Sequence, residues 1–367
     1  MTRTSRRTFL RHSAAAAIAA PFISTRITRA LAEESRPKLG WALCGLGGLS
    51  ENQIAPALLK TKHCRLSGLV TGSPEKTREW RTRYDIPDRS VYSYDSMSRM
   101  AENPDIDVVY VVTPNALHGD HTIAAAEAGK HVFCEKPMEV SVARCRQMID
   151  ACDAADRKLG VGYRCQFSPL HIEMIRLARE EEFGAVRVID SAFGFRIGDP
   201  DQWRLKKDLA GGGALMDVGV YCLQASRYIS GEEPLVVTAM ETKTDPVKFR
   251  EVDETIAWQA TFPSGIVANC STTYNAEGMG RVNAHAERGW FGLEPAFHYG
   301  GNKGTRSDGK PFEFPEIDMF AAQMDDFSQC ILENRESKVS GLEGLKDVKI
   351  MMAIYEAAAT GRAVDIA

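Results

Sequence analysis

The chain has 367 residues, a length that favours two domains over one. Hydrophobic residues make up 44% and charged residues 26%, which is typical of a soluble globular protein and excludes a fibrous, collagen-like or wholly disordered chain. The sequence contains no run of about eighteen consecutive apolar residues, so it predicts no permanent membrane span.

The charge is distributed unevenly along the chain. Residues 1–32 contain six Arg, no Lys and no acidic residue, so their removal changes the formal net charge from −4 to −10. A chain this acidic is a poor candidate for binding nucleic acid or an anionic membrane surface. Small polar substrates and protein partners remain.

The N-terminal residues resemble a twin-arginine export signal. Segment 5–11 (SRRTFLR) is followed by apolar residues at 14–20 and by a small-x-small pattern at 30–32 (ALA) that a signal peptidase accepts. We expect cleavage after Ala32, export of the folded protein to the periplasm and no membrane association afterwards. Residues 33–38 then form a short arm. A disordered basic tail is the alternative.

The cysteines predict no disulfide framework. There are nine, an odd number, with no repeated spacing typical of metal ligands. Because the twin-arginine route carries folded proteins, thiols packed inside before export need not pair. We expect mostly free, buried cysteines.

Residues 39–160 predict a dinucleotide-binding domain. An apolar run at Leu39–Cys44 precedes the sequence Gly45-Leu46-Gly47-Gly48-Leu49-Ser50, and a helical pattern follows at 51–60. In the order strand, glycine turn and helix, the first glycine permits a tight turn, the second a close approach to a pyrophosphate, and the helix N-terminus donates amides to the anion. Ser50 replaces the third glycine of this pattern.

Strands and helices then alternate, which predicts an α/β fold with a doubly wound parallel sheet. The predicted elements are a strand at 65–71, a helix at 74–84, a strand at 108–113, a helix at 118–128, a strand at 131–134 and a helix at 142–157.

The end of the second strand indicates which nucleotide binds. An NAD-binding site commonly has an acidic residue there, whereas this chain has Thr71, Gly72 and Ser73, with Lys76 nearby. Hydroxyls, a helix N-terminus and a cation suit the 2′-phosphate of NADP, which we therefore prefer over NAD. The alternative is that Ser73 only caps the helix and Lys76 is a surface charge.

The triplet Glu135-Lys136-Pro137 follows the fourth predicted strand. With segments 162–164 (GYR), 202–205 (QWRL) and 211–221 (GGGALMDVGVY), it resembles the Gfo/Idh/MocA oxidoreductases. Within that family the resemblance is greatest to the glucose–fructose and aldose–aldose oxidoreductases, and it extends from about Leu39 to Val364. Members of the family bind a nicotinamide nucleotide and mostly act on sugars or cyclitols.

The resemblance implies that 161–367 forms an α+β substrate and dimerisation domain with an open, mainly antiparallel sheet. The composition agrees, because 185–195, 235–242, 255–262 and 266–274 are β-rich and 263–265 (PSG) is a hairpin-type connection. A sheet with one uncovered face needs a partner, so we expect a homodimer or homotetramer through this sheet. We expect the last helix to pack back on the first domain.

The resemblance also marks Lys136, Asp217 and Tyr221 as catalytic, although many members have His at the last position. Asp217 and Tyr221 are four residues apart, which places them on one face of a helix. A phenol ordinarily ionises only near pH 10, so we expect the Lys136 ammonium to favour its phenolate. Tyr221 is then the acid/base at the sugar C1 hydroxyl, and Asp217 is an orienting acceptor.

Further site residues complete the expected nucleotide and sugar sites. Besides Gly45 to Leu49 and the 71–76 group, the expected cofactor-binding residues are Thr113, Pro114, Asn115, His118, Glu135, Lys136 and Arg164. The expected substrate-binding residues are Arg164, Trp203, Arg204, Asp217 and Tyr221. His118 and His121 lack the further ligands that zinc requires, so we expect no metal.

Export shapes the expected reaction, because no soluble pool of NADP is available outside the cytoplasm. The resemblance therefore implies tightly bound NADP, with an aldose oxidised at C1 to its lactone and a second sugar reduced to an alditol such as sorbitol in the same site. The short arm is a poor clamp for the cofactor. The alternatives are an ordinary sugar or cyclitol dehydrogenase with exchangeable cofactor, and a non-catalytic sugar or nucleotide sensor.

Overall fold

The structure is a computed structural model that describes residues 38–366. The expected export signal and nearly all of the expected arm lie outside this range. Among the described residues no helix is both long and apolar enough to cross a membrane.

The first lobe is built on a six-stranded parallel sheet in the order β3-β2-β1-β4-β5-β6. This strand order is that of the Rossmann fold, which confirms the predicted class. The strands are β1 (Leu39–Cys44), β2 (Cys64–Val70), β3 (Val91–Tyr92), β4 (Val108–Val111), β5 (His131–Cys134) and β6 (Leu159–Val161). Two of them were not predicted: β3 has only two residues, and β6 ends one residue beyond the expected boundary at 160.

The helices of the first lobe follow the predicted ones closely, apart from the first. They are α1 (Ala55–Leu58), α2 (Pro74–Tyr84), α3 (His118–Glu127) and α4 (Val142–Ala154), with 3-10 turns at Asp88–Ser90, Tyr94–Glu102 and Asn115–Leu117. The helix expected at 51–60 begins as a wide π-helical turn at Ser50–Ile54. Pro56 has no N–H to donate into an α-helical ladder, which suits this wider turn.

The second lobe is built on an eight-stranded sheet in the order β13-β12-β11-β7-β10-β9-β8-β14. Strands β7 and β10 are parallel and the other neighbouring pairs are antiparallel, which confirms the expected open, mainly antiparallel sheet. The strands are β7 (Val186–Gly194), β8 (Val236–Thr242), β9 (Thr255–Thr261), β10 (Val267–Thr273), β11 (Met279–Ala286), β12 (Gly289–Leu293), β13 (Gly304–Arg306) and β14 (Val364–Asp365). The predicted hairpin joins β9 to β10.

Within residues 38–366, helices cover one face of this sheet and none covers the other. They are α5 (Pro169–Arg179), α6 (Lys207–Ala210), α7 (Val220–Ser230), α8 (Met319–Leu332) and α9 (Gly341–Thr360), with 3-10 turns at Arg164–Phe167 and Trp203–Leu205 and a π-helical turn at Leu215–Gly219. Helix α7 packs on β7 and β10, and α9 packs on β8. Ala257, Gln259 and Thr261 of β9 are exposed on the opposite face.

The C-terminal helices pack back on the first lobe. Helix α9 contacts α4 and β6. Helix α8 was not anticipated there: its Phe327 ring lies 5.0 Å from the Phe133 ring and 6.0 Å from that of Trp41, and the Trp41 indole donates to Ser328 Oγ at 3.1 Å. The first lobe is therefore completed by residues almost 300 positions downstream of its first strand.

All nine cysteines are buried and free, which confirms the sequence prediction. Burial raises the pKa of the Cys145 and Cys152 thiols to about 12, so these side chains act as apolar filler.

Candidate active site

Two adjoining cavities lie where the lobes meet. A groove of about 540 Å³ follows the carboxyl edge of the first sheet, and a cleft of about 850 Å³ opens between the lobes. Glu135, Lys136, Arg204 and Asp217 line both cavities. A ligand in the groove would therefore meet a ligand in the cleft at these residues.

The glycine loop forms the floor of the groove. Gly45 has a φ of +97°, and a Cβ there would lie 2.7 Å from the Val112 carbonyl oxygen, so only glycine suits the position. A Cβ at Gly47 would meet nothing within 4 Å, which leaves the backbone open to a ligand. Ser50 is buried and donates to the Gly45 carbonyl at 2.5 Å, which explains how it substitutes for the third glycine. This loop fits a dinucleotide pyrophosphate.

The end of β2 forms one end of the groove, where Thr71, Gly72, Ser73 and Lys76 all line the wall. Ser73 does cap helix α2, accepting from the Lys76 amide at 3.3 Å. Lys76 is not only a surface charge, because its Nζ donates to the Leu46 carbonyl at 2.7 Å and so lies across the glycine loop. The cation and hydroxyls at this end fit the expected 2′-phosphate.

Thr113, Pro114, Asn115 and His118 form the other wall of the groove. His118 is buried, with Nδ1 3.0 Å from the Pro137 carbonyl and Nε2 2.8 Å from the Thr113 carbonyl. It therefore joins the end of β4 to the loop that carries Lys136. Asn115 donates to the Ala210 carbonyl of the second lobe at 2.9 Å, which closes the groove at this point. The described residues contain no cluster of three or more possible metal ligands.

The structure brings Lys136, Asp217 and Tyr221 together. Lys136 Nζ donates to the Asp217 carbonyl at 2.6 Å and to its Oδ1 at 3.0 Å, and lies 5.0 Å from the centre of the Tyr221 ring. The three side chains come from both lobes, so the arrangement exists only when the lobes are packed together.

Asp217 is gripped by three partners. Besides Lys136, its Oδ2 accepts from Arg204 Nε at 3.1 Å and from the Tyr274 hydroxyl at 3.0 Å. Burial would raise the pKa of Asp217, but the charges of Lys136 and Arg204 outweigh burial and hold the pKa well below its ordinary value. Burial likewise opposes the charge of Lys136, yet Asp217 raises the pKa of that ammonium above its usual range. Both groups are charged at neutral pH.

Asp217 lies inside the π-helical turn Leu215–Gly219, directly before α7, rather than in a regular helix. Asp253 holds this turn, with its carboxylate accepting from the Gly213 amide at 2.5 Å, the Leu215 amide at 2.8 Å and the Tyr355 hydroxyl at 2.7 Å. A Cβ at Gly212 would lie 2.0 Å from the Tyr355 hydroxyl, which explains part of the glycine run. Asp253, Tyr274 and Tyr355 were not predicted, since no local pattern connects them to Asp217.

Three expected substrate-site residues lie at different places. Trp203 lines the nucleotide groove, with the Arg204 guanidinium 4.5 Å from the centre of its ring. Arg204 lines both cavities and is paired with Asp217. Arg164 lines the cleft and not the groove, and it is only 2% exposed because its guanidinium donates to the Phe297 and His298 carbonyls.

Glu135 is buried beside Lys136. Its Oε1 accepts from the Tyr110 hydroxyl at 2.6 Å and its Oε2 from the Lys136 amide at 3.2 Å, while Gln323 of α8 donates to Tyr110 at 2.9 Å. Burial raises the pKa of Glu135 above its ordinary value. These hydrogen bonds hold the backbone of the Lys136 loop against the first lobe.

A Rossmann lobe whose nucleotide groove opens onto a cleft with a partly buried lysine, carboxylate and phenol defines a nucleotide-dependent oxidoreductase. The family model "Oxidoreductase family, NAD-binding Rossmann fold" matches residues 39–163, and the "GFO/IDH/MocA C-terminal domain" matches 171–292. The chain belongs to the Gfo/Idh/MocA oxidoreductase family.

Relatives agree with this assignment. The D-xylose 1-dehydrogenase [NADP(+)] of Haloarcula marismortui is 30% identical over 87% of this chain and 91% of that protein. A 1,5-anhydro-D-fructose reductase of Ensifer adhaerens is 25% identical over 89% of this chain and 98% of that protein. The crystal structure of aldose–aldose oxidoreductase from Caulobacter crescentus, complexed with glycerol, has a TM-score of 0.86 and 46% identity, covering 89% of this chain and 99% of that one.

Proposed function

We propose that this chain oxidises an aldose at C1 to its lactone and reduces a second sugar to an alditol in the same site, with NADP(H) held between the two half-reactions. The observation that carries the proposal is that groove and cleft meet at Lys136 and Asp217, where Lys136 Nζ lies 5.0 Å from the centre of the Tyr221 ring. Relatives named for xylose, anhydrofructose and aldose chemistry support a sugar substrate.

The chain's own residues supply proton transfer and placement. Tyr221 takes the proton of the C1 hydroxyl during oxidation and returns a proton during reduction. Lys136 provides the positive charge beside the phenol, and Asp217 holds Lys136 and Arg204 in place. The nicotinamide, when bound, accepts or returns the hydride, and Gly45 to Leu49 with Thr71, Ser73 and Lys76 are the residues that would hold the nucleotide.

Two further features support retention and NADP preference. Lys76 lies across the glycine loop, and Asn115 ties the first lobe to Ala210 beside the groove. The fit of a cation and two hydroxyls at the end of β2 favours NADP over NAD, and so does the NADP-dependent relative. Export to the periplasm, which we propose from segment 5–32, requires this retention because the cofactor must travel with the enzyme.

The bare face of the second sheet supports a homodimer or homotetramer. A hydrogen-bonded row crosses this face, with Gln259 donating to Asn269 at 2.8 Å and Asn269 to Asp190 at 3.1 Å. A second copy would cover this eight-stranded surface and its exposed strand faces.

The test uses full-length protein purified without added nucleotide. Addition of D-xylose should raise the near-ultraviolet absorbance of a reduced nicotinamide once, and later addition of a second carbonyl sugar should reverse the rise with release of an alditol. If turnover occurs only with added NADP, the alternative of a conventional dehydrogenase holds, which the name of the xylose dehydrogenase relative favours. No turnover under either condition would support the sensor alternative.

A further inference from the structure

The cleft has an aromatic wall that the proton-transfer assignment leaves unused. A turn at 297–302, downstream of β12, places Tyr299 at its tip, where the side chain is 52% exposed and lines the cleft. No sequence motif indicated this residue. It lines the same cleft as Lys136 and Tyr221, which raises the question of what its open face binds.

The turn is closed by its own side chains and is therefore formed before a substrate arrives. Asn302 Oδ1 accepts from the His298 amide at 3.0 Å, and Asn302 Nδ2 donates to the His298 carbonyl at 3.1 Å. The Gly301 amide donates to Glu316 at 2.9 Å, and Gly301 has a φ of +71° that suits glycine. Such a preformed wall avoids the entropy cost of ordering a loop on binding.

Arg164 fastens this turn to the floor of the cleft. Its Nη2 donates to the Phe297 carbonyl at 2.6 Å and its Nη1 to the His298 carbonyl at 3.1 Å. The centre of the guanidinium lies 4.7 Å from the Tyr299 ring and 4.9 Å from the Tyr221 ring. One buried cation thus contacts both the acid/base tyrosine and the tip of the wall.

Helix α8 supports Tyr299 from a second direction. The Phe320 ring lies 5.5 Å from the Tyr299 ring, and the Arg164 guanidinium lies 5.9 Å from the Phe320 ring. Part of the Tyr299 ring is therefore packed against protein, and the remaining surface is open at the mouth of the cleft. A rigid, half-covered aromatic ring is well suited to hold a flat, weakly polar face of a ligand.

We propose that Tyr299 determines specificity for ring-closed sugars: its open face stacks against the C–H face of a pyranose, and Arg164 is the positioning residue that holds it there. This inference rests on the proposed sugar oxidoreductase function and names which form of the substrate the site selects. An aldose too short to close a pyranose ring presents no such face and gains little from the wall.

The experiment compares the oxidation of D-xylose, which donates hydride from C1 of its ring form, with the reduction of glyceraldehyde, a three-carbon aldose that cannot form a pyranose and serves as the open-chain carbonyl acceptor. In Tyr299→Ala, kcat/KM for xylose should fall about tenfold, mainly through a higher KM. A tenfold loss is the upper range for the removal of one aromatic contact. In the same variant, kcat/KM for glyceraldehyde should change less than about twofold. Tyr299→Phe keeps the ring and should retain the wild-type ratio. An equal loss on both substrates, or no loss on xylose, overturns the proposal.

Arg164→Lys provides the second variant, since it keeps the charge but loses the planar fork that binds two carbonyls and stacks on the rings. Because the guanidinium also lies 4.9 Å from the Tyr221 ring, kcat/KM should fall for both substrates, with the larger loss on xylose. Adding Tyr299→Ala should increase this excess loss on xylose little further, because both changes remove one wall. Additive losses would refute the positioning role. Wild-type protein that turns over neither substrate would instead refute the proposed function. As a control for folding, the Tyr299 variants should keep the wild-type melting temperature.

Discussion

The nucleotide groove and the sugar cleft are built in different ways. The groove is formed largely by backbone from consecutive βα turns of one lobe, with glycines that leave room for a ligand and a single lysine laid across them. The cleft is formed by side chains from distant segments of both lobes, which hold one another through buried hydrogen bonds. We therefore expect single side-chain changes in the groove to reduce nucleotide affinity moderately, and single changes in the cleft to reduce turnover strongly.

The largest effect is expected at the centre of the cleft. Tyr221→Phe removes the hydroxyl that transfers the proton while keeping the ring against Phe193 and Phe297. Turnover should fall by about 10² to 10⁴ with unchanged nucleotide binding, because positioned acid/base groups contribute in this range. Steady-state rates and a nucleotide fluorescence titration check both parts. Retained turnover would assign proton transfer to another group.

A smaller loss of turnover is expected from Tyr274, which contacts Asp217. Tyr274→Phe deletes the hydroxyl that donates to Asp217 at 3.0 Å, leaving the carboxylate with Lys136 and Arg204. Because hydrogen bonds to charged groups contribute about 1.5–3 kcal/mol, kcat should fall at least about tenfold. Tyr84→Phe, at the far end of α2, is the matched control. Equal activity of both variants would mean that Asp217 needs no third partner.

A graded effect is expected in the groove. Lys76→Ala removes the cation at the end of β2, so the affinity of nucleotide-free protein for NADP should fall about tenfold while that for NAD stays within about twofold. Arg78→Ala, exposed on the same helix, controls for general charge loss. Calorimetric titration with both nucleotides measures the difference. A parallel loss for NADP and NAD would place Lys76 away from the 2′-phosphate.

The smallest effect on activity is expected behind the cleft wall, where the change concerns stability. His171 is 6% exposed and has no hydrogen-bond partner at either ring nitrogen, and burial together with the charge of Arg164 lowers its pKa from 6.5 to about 3. Below pH 6.5, His171 therefore binds a proton in the unfolded chain but remains neutral in the folded state until the pH approaches 3. Above pH 6.5 His171 is neutral in both states and does not lower the free energy of unfolding. Between pH 6.5 and about pH 3 the unfolded state alone binds the proton, so the free energy of unfolding falls by about 1.4 kcal/mol per pH unit of acidification.

Denaturant melts of wild type and His171→Leu across this range measure the effect. The variant should lose less stability on acidification, whereas His285→Gln, on the exposed face of the second sheet, should follow the wild type. Parallel curves for wild type and His171→Leu would show that His171 is not a source of acid sensitivity.

The difference between the two cavities also decides what the sequence could predict. The glycine loop, the β2 end and the Lys136 loop are short consecutive motifs, so the residues that line the groove could be predicted. The sequence did not indicate that Trp203 lines the nucleotide groove, because no local pattern shows which cavity a side chain in this short turn enters. The helical spacing of Asp217 and Tyr221 was correct, but the π-helical turn depends on Asp253 and Tyr355, which only tertiary packing brings near.

The missed parts of the fold have a similar cause. Strand β3 is too short to give a pattern of alternating side chains, and β6 has only three residues, between Lys158 and Gly162. Tyr274 and Tyr299 lie at the ends of strands or in turns, where no periodicity indicates which way a side chain points. Family resemblance supplied Lys136, Asp217 and Tyr221, but it did not supply the residues that hold them.

The packing of α8 beneath the first sheet has a consequence for synthesis of the chain. A ribosome that has made only the dinucleotide-binding half leaves Trp41 and Phe133 without the Phe327 ring that covers them. We therefore expect this half to be less stable on its own during translation than in the completed chain, in which the C-terminal helices cover it. Any cellular system that acts on the completed chain therefore encounters the two lobes packed together.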